Sequence, residues 1–169
     1  MITLRTANAT DTPTLAAMMH DHAHIYLDDY HEVSNDLAGL LIASGDVIAY
    51  DWYGLAIGFA WFSDKHPDKL HASVHILIEP RHYRQVKKLD LVAKMLDRAF
   101  AVYDVGKIKA QCMHTQTSAM KLLKAHKFKQ IALNRNETKK GGKKVDVFGF
   151  ELHRKFWTRN RLRELETVN

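Results

Sequence analysis

The sequence predicts one α/β domain built on a mixed sheet, and three observations carry that prediction. The chain has 169 residues with 46% apolar and 26% charged side chains, enough for one domain to bury a core without disulfides or metals. Runs with a period of two alternate with runs of helical period, in the order β α α β β β α β α β β. Near the centre, residues 70–113 form a strand–helix–strand unit whose long connection suits a parallel pair.

The elements follow in order. Residues 2–7, "ITLRTA", alternate as a strand. Thr10 can cap the helix that follows, with Asp11 and Pro13 in its first turn and a stripe of Leu15, Met18, Met19 and His22. Residues 24–33 show no period, and 34–45 read as a second helix from a Ser34 cap to Gly45. Runs 46–52 and 54–63 form a hairpin around Tyr53-Gly54, and 70–78 is the third strand of this group. A long helix is expected over 81–104, with Val86, Leu89, Val92, Leu96, Ala99, Phe100 and Tyr103 on one face. A strand over 106–113 puts Ile108, Ala110 and Cys112 on one side, and 117–126 is a short helix. Residues 128–135 and 144–153 flank a loop whose Gly141-Gly142 suits a tight hairpin turn. The remainder is a basic, then acidic, helical tail, set apart as 155–169 from a domain of 1–154.

Composition narrows the setting. No apolar run approaches the ~18 residues of a membrane span. Residues 1–10 read directly into a strand without an apolar stretch, so no signal peptide is expected. Cys112 is the only cysteine, so no internal disulfide forms and a reducing, cytoplasmic compartment is expected. A net charge of +6 admits acidic partners such as nucleic acid or an anionic cofactor.

Two local patterns, set in this element order, resemble the GNAT superfamily of acyl-CoA-dependent N-acetyltransferases. The first is strand, Ile78-Glu79-Pro80, a basic turn with Arg84, then the long helix. The second runs from Ile108, Ala110 and Cys112 through Gln116, Ala119, Leu122 and Leu123 to Lys127-Phe128. The resemblance covers roughly residues 1–154. It implies a mixed sheet flanked by helices, acetyl-CoA as acyl donor, an amine acceptor, and direct attack in a ternary complex. It also implies that Arg84, Gln85, Val86, Lys87, Lys88 and Leu89 hold the pyrophosphate, with Gln116 at the cofactor and the backbone around Ile78 orienting the thioester carbonyl. Free N–H groups and the helix dipole favour an anion at such a helix start. The sequence departs from the family at three kinds of position. The turn has no glycine, Leu123 stands where a tyrosine usually donates a proton to the leaving thiolate, and Gln116 and Lys127 replace Asn and Gly.

Acyl transfer to an amine needs a proton acceptor, and three residues qualify. Glu79 ends the central strand, and His75 lies four residues earlier on the same face, since strands alternate. An imidazole titrates near neutrality and suits a base. His114, just past the next strand, is a further base or acid candidate, and Tyr83 is a replacement acid. Each also reads as an ordinary surface residue. The "HDHAH" run places His20 and His24 one helical turn apart, yet no third ligand follows at a diagnostic spacing, so no metal is expected. By the resemblance, Tyr26, Asp28, Asp29 and Tyr30 fall where acceptor-lining loops lie. Cys112 reads as a small core hydrophobe. Trp52, Phe59, Trp61 and Phe62 read as core or cleft wall.

The tail "HRKFWTRNRLR" mixes Arg and Lys with Phe156 and Trp157, a composition that can neutralise phosphates and stack bases, or dock its aromatics on the domain. Two functions therefore stand side by side. One is an acetyl-CoA-dependent N-acyltransferase. The other is a catalytically inactive GNAT-like structural or interaction protein, such as one associated with phage virions or their assembly, that binds nucleic acid or another acidic partner.

Overall fold

The computed structural model describes residues 2–23, 28, 35–65, 68, 70–88 and 90–166, with the backbone alone at 35, 87, 88 and 161–166. Among them, seven strands form one sheet in the order β1-β2-β3-β4-β5-β7-β6. These are β1 (Ile2–Thr6), β2 (Ile48–Trp52), β3 (Leu55–Ser63), β4 (His71–Ile78), β5 (Lys107–Met113), β6 (Lys129–Lys140) and β7 (Lys143–His153). The helices are α1 (Thr12–Asp21), α2 (Asn35–Ala43), α3 (Tyr83–Lys88), α4 (Leu91–Tyr103), α5 (Thr117–Ala125) and α6 (Arg154–Glu166). The one parallel pair is β4 with β5, as the central strand–helix–strand unit predicts; the others are antiparallel.

Alternation along the strands divides the core between the two faces. On one face β2–β5 and β7 bury Tyr50, Ala60, Phe62, Val74, Ile78, Ile108 and Phe150 against Leu91, Met95, Leu96 and Phe100 of α4. On the other, α1 and α2 pack Leu15, Met18, Met19, Ala38 and Ile42 on Ala49, Phe59 and Leu77. An ion-pair network fixes how α1 begins. Arg5 of β1 grips both carboxylate oxygens of Asp11 at 2.7 Å and reaches Asp51 of β2 at 2.8 Å. Asp11 also accepts the Asn8 N–H at 2.8 Å, closing a capping box. The Arg5 guanidinium holds the carboxyls of Asp11 and Asp51 below the usual carboxylate range.

Turn chemistry matches the sequence at both hairpins. Tyr53 and Gly54, at φ +52° and +87°, make the β2–β3 turn, and Gly141 and Gly142, at +57° and +75°, make the β6–β7 turn. The second hairpin is longer than expected: β6 runs through the segment read as loop and pairs Lys140 with Lys143. A bulge between Asn134 and Thr138, with Asn136 at φ +53°, absorbs the irregular stretch.

The single helix expected over 81–104 is instead three pieces. A 3-10 turn (Pro80–His82) leads into α3, and the chain breaks before α4 at Asp90, whose φ of +51° is left-handed. Asp tolerates that conformation better than most residues, and helical periodicity carries no trace of it because the apolar stripe runs through the break. Leu89, expected on that stripe, lies outside the described residues, as do Ser34, His24, Tyr26, Asp29 and Tyr30.

The tail forms α6, and its Trp157 is buried in the α4-side core, with Nε1–H donating to Asp97 at 2.7 Å. No described helix is long and apolar enough to cross a membrane.

Candidate functional site

The sheet opens where its parallel pair ends. β4 and β5 pair only at His71–Ser73 with Lys107–Lys109, although β4 continues to Ile78 and β5 to Met113. Beyond Ser73 the two strands part. Antiparallel partners hold each outer side, β3 on β4 and β7 on β5, so the wedge stays open. Side chains of the two core faces then meet in one cleft of about 410 Å³. Val74, Ile78, Ala110 and Cys112 form its strand walls, and Val86 of α3 with Leu122 and Leu123 of α5 close the α4 side. Met19, Trp61, His75 and Leu77 line it from the α1 side. The cleft therefore passes through the sheet, largely apolar within and polar at the α5 mouth, where Gln116, Ser118, Lys121 and His126 stand.

A glycine shapes the β4 wall. Ile57 is the extra residue of a bulge in β3, where Tyr50 pairs with Gly58 but Asp51 with Ala56. Gly58 then lies so close to β4 that an added Cβ would meet the Leu77 carbonyl oxygen at 2.9 Å and the Ile78 Cα at 3.2 Å. Glu79 N–H donates to the Ile57 carbonyl at 3.0 Å, which holds the end of β4 in this close approach.

The expected site residues take distinct positions. His75 lines the cleft, stacked on Trp61 with ring centroids 5.2 Å apart and planes 7° apart. Its Nε2 is 2.8 Å from the Ser63 hydroxyl. Glu79 follows β4 and meets His22, at the end of α1, with Nε2 to Oε2 3.1 Å. His114 does not line the cleft: its Nδ1 accepts the Asp146 N–H at 3.1 Å on the β7 side of β5. Ile78 and Val86 are buried in the wall, whereas the side chains of Arg84 and Gln85 are exposed. Lys87 and Lys88 close α3; their side chains, and Leu89 entirely, lie outside the described residues. Gln116 lines the mouth, with its Oε1 accepting the Met113 N–H at 2.8 Å to set the turn into α5.

Two further contacts were not expected from the sequence, one of them to the mouth residue His126. Asp90 precedes α4 but makes no capping bond with its side chain. Its carboxylate is 3.5 Å from Nε2 of His126, whose Nδ1 is 2.9 Å from the Leu122 carbonyl. On the α1 side, Thr138 of β6 donates to Asp28, and Lys140 donates to the Ala23 carbonyl at 3.1 Å, so β6 reaches across to the chain that follows α1. Cys112 faces the cleft, and burial pushes its thiol up to about 11, which suits a wall rather than a nucleophile. His20 is exposed, and among the described residues no three His, Cys, Asp or Glu side chains cluster as a metal site.

No family model and no curated protein matches the sequence. Solved structures do match the fold. The spermidine/spermine N-acetyltransferase SpeG of Vibrio cholerae (mutant forms) has a TM-score of 0.78 at 18% identity, covering 95% of this chain and 98% of that one. For yncA of Salmonella typhimurium, assigned as an acetyltransferase and solved with its cofactor acetyl-CoA, the values are 0.76 and 17%, covering 90% and 94%. The ribosomal-protein-alanine N-acetyltransferase of Brucella melitensis gives 0.76 at 15%, covering 89% and 99%. The chain thus has the GNAT acetyltransferase fold, with its mixed sheet and flanking helices.

Proposed function

We propose that this GNAT-fold chain is an acetyl-CoA-dependent N-acyltransferase. The observation that carries the proposal is the cleft through the sheet where β4 and β5 part, with an imidazole at one end and a helix start near the other. An extended thioester arm fits an apolar slot of this kind, and the two reactants approach from opposite faces. The pyrophosphate lies at the mouth by α3 and the start of α4, where Arg84, Gln85, Val86, Lys87, Lys88 and Leu89 supply backbone and charge. The helix dipole adds to their effect there. The backbone around Ile78 orients the thioester carbonyl, and Gln116 lies beside the arm. Neighbours solved with acetyl-CoA or named as N-acetyltransferases support this reading.

The amine enters from the α1 side. Glu79, beside His22, attracts the ammonium, and His75 takes its proton so that the nitrogen lone pair can attack the carbonyl carbon. Collapse of the tetrahedral adduct breaks the C–S bond and releases the thiolate. Leu123 cannot protonate it; Tyr83 is the one phenol on the described lining and takes that role. A free thiol has an ordinary pKa of about 8.5, so the thiolate leaves with little help and a missing tyrosine is tolerable. The acceptor is a small-molecule or protein amine. SpeG and the Brucella protein suggest spermidine, spermine and an Ala-terminated peptide as the first three to assay.

The test is acetyl-CoA turnover with such an amine panel. His75→Gln is expected to lower kcat about 100-fold, the lower end of what a general base contributes, with acetyl-CoA affinity unchanged. Full activity in His75→Gln would remove His75 from the chemistry, and no turnover by the unaltered chain with any amine would remove the enzyme.

A further inference from the structure

We infer that Gln111 is a substrate-binding residue: its carboxamide oxygen accepts a hydrogen bond from the attacking amine, across the wedge from His75. The inference rests on the acyltransferase reading and names how that site holds its acceptor. The parallel ladder pairs His71, Ala72 and Ser73 with Lys107, Ile108 and Lys109 in step. Two residues beyond its last pair, the same step sets His75 of β4 level with Gln111 of β5, where the strands have parted. Val74 of β4 and Ala110 and Cys112 of β5 pack in the α4-side core, so by alternation His75 and Gln111 both face the α1 side. Both are exposed, and both line the cleft.

Three properties of Gln111 suit this role. Among the described residues its carboxamide makes no hydrogen bond, so its oxygen is open to a ligand's N–H. Its register partner on β7 is Gly149, which puts no side chain beside it on that flank. It is also neutral. The residues before it on this face of β5 are Lys107 and Lys109, and a third lysine here would repel an ammonium acceptor and disfavour the imidazolium that His75 becomes. Once His75 has taken a proton, a primary amine keeps two N–H bonds and one lone pair. One N–H donates to Gln111 Oε1, which fixes the rotation of the nitrogen and turns its lone pair toward the thioester carbon. Attack places positive charge on that nitrogen, and its hydrogen bond to the carboxamide oxygen strengthens as the charge develops.

The test compares Gln111→Leu, which removes the accepting oxygen, with Gln111→Glu, which keeps one. With spermidine, spermine and the Ala-terminated peptide as acceptors, Gln111→Leu is expected to lower kcat/KM for the amine about tenfold, the upper end for one hydrogen bond. Its Kd for acetyl-CoA and its thermal midpoint stay unchanged. Gln111→Glu is expected to keep kcat/KM or raise it, since a carboxylate accepts the same bond and attracts the ammonium. Unchanged kcat/KM in Gln111→Leu overturns the inference. So does a loss in Gln111→Glu equal to that in Gln111→Leu, which would assign the donor half of the amide instead. A second readout needs no turnover. In the uniformly 15N-labelled full chain saturated with CoA, the Gln111 side-chain amide signals are assigned by their loss in Gln111→Leu, and they are expected to shift saturably as spermidine is added. Unmoved Gln111 signals while the His75 imidazole signals shift overturn the inference and leave the acyltransferase reading standing. If no amine is acetylated and none moves either set of signals, that reading fails and the inference falls with it.

Discussion

Gly58→Val is expected to destabilise the fold by about 3 kcal/mol, the upper part of the usual range for overpacking a core, and to abolish acetyl-CoA binding at ligand concentrations that saturate the unaltered chain. The new Cβ would lie 2.9 Å from the Leu77 carbonyl oxygen and 3.2 Å from the Ile78 Cα, both backbone atoms of β4. Its third near neighbour, a ring carbon of the fully buried Tyr50 at 3.1 Å, has no free volume to retreat into. Relief comes only by pushing the end of β4, and that movement displaces Ile78 and the cleft wall. Denaturant unfolding gives the stability term, and calorimetry on the folded fraction gives the binding term. A variant with unchanged midpoint and unchanged affinity would show that β4 is not held by this approach.

Trp157→Ala is expected to cost about 4 kcal/mol, within the range for truncating a buried aromatic. The indole is 5% exposed in the α4-side core, and its N–H is bonded to Asp97 of α4. The substitution leaves a cavity beside α4 and a carboxylate that has lost this donor, and both effects are destabilising. Thermal unfolding with and without the substitution checks the size; a shift of under about 1 kcal/mol would mean that α6 is dispensable to the domain. The same burial bears on the base-stacking reading of the tail. Trp157 is committed to the core, whereas Phe156 beside it stays exposed, with the ammonium groups of Lys129 and Lys155 4.9 and 5.2 Å from its ring centroid.

Most of the fold was legible because its signals are local. Period-two runs mark all seven strands, glycines mark both tight hairpin turns, and Val92, Leu96, Ala99 and Phe100 mark the buried face of α4. What escaped depends on pairing at a distance. No local signal shows that β4 and β5 cease to pair after Ser73, because each strand keeps its own alternation and an outer partner. The break at Asp90 is a single left-handed residue inside an unbroken apolar stripe. His22 meets Glu79 across 57 positions, and Ser63 meets His75 across 12, so both contacts appear only once the register is known. The alternation that put His75 and Glu79 on one face was readable; the separate post of His114, bonded to the Asp146 N–H, was not.

The glycine-free turn is the hardest point for an acyltransferase, since glycine lets a phosphate approach the backbone closely. The structure keeps a left-handed turn at Asp90, immediately before α4, so the backbone takes the sharp bend that a glycine would ordinarily supply. The most direct test is therefore acetyl-CoA binding to the purified full chain by titration calorimetry. The expected result is saturable one-to-one binding with a Kd on the order of 1–100 μM, as for enzyme substrates generally, that weakens at high salt as the pyrophosphate contact is screened. No heat of binding at millimolar acetyl-CoA would contradict the account and leave the cleft as a fold feature without its ligand.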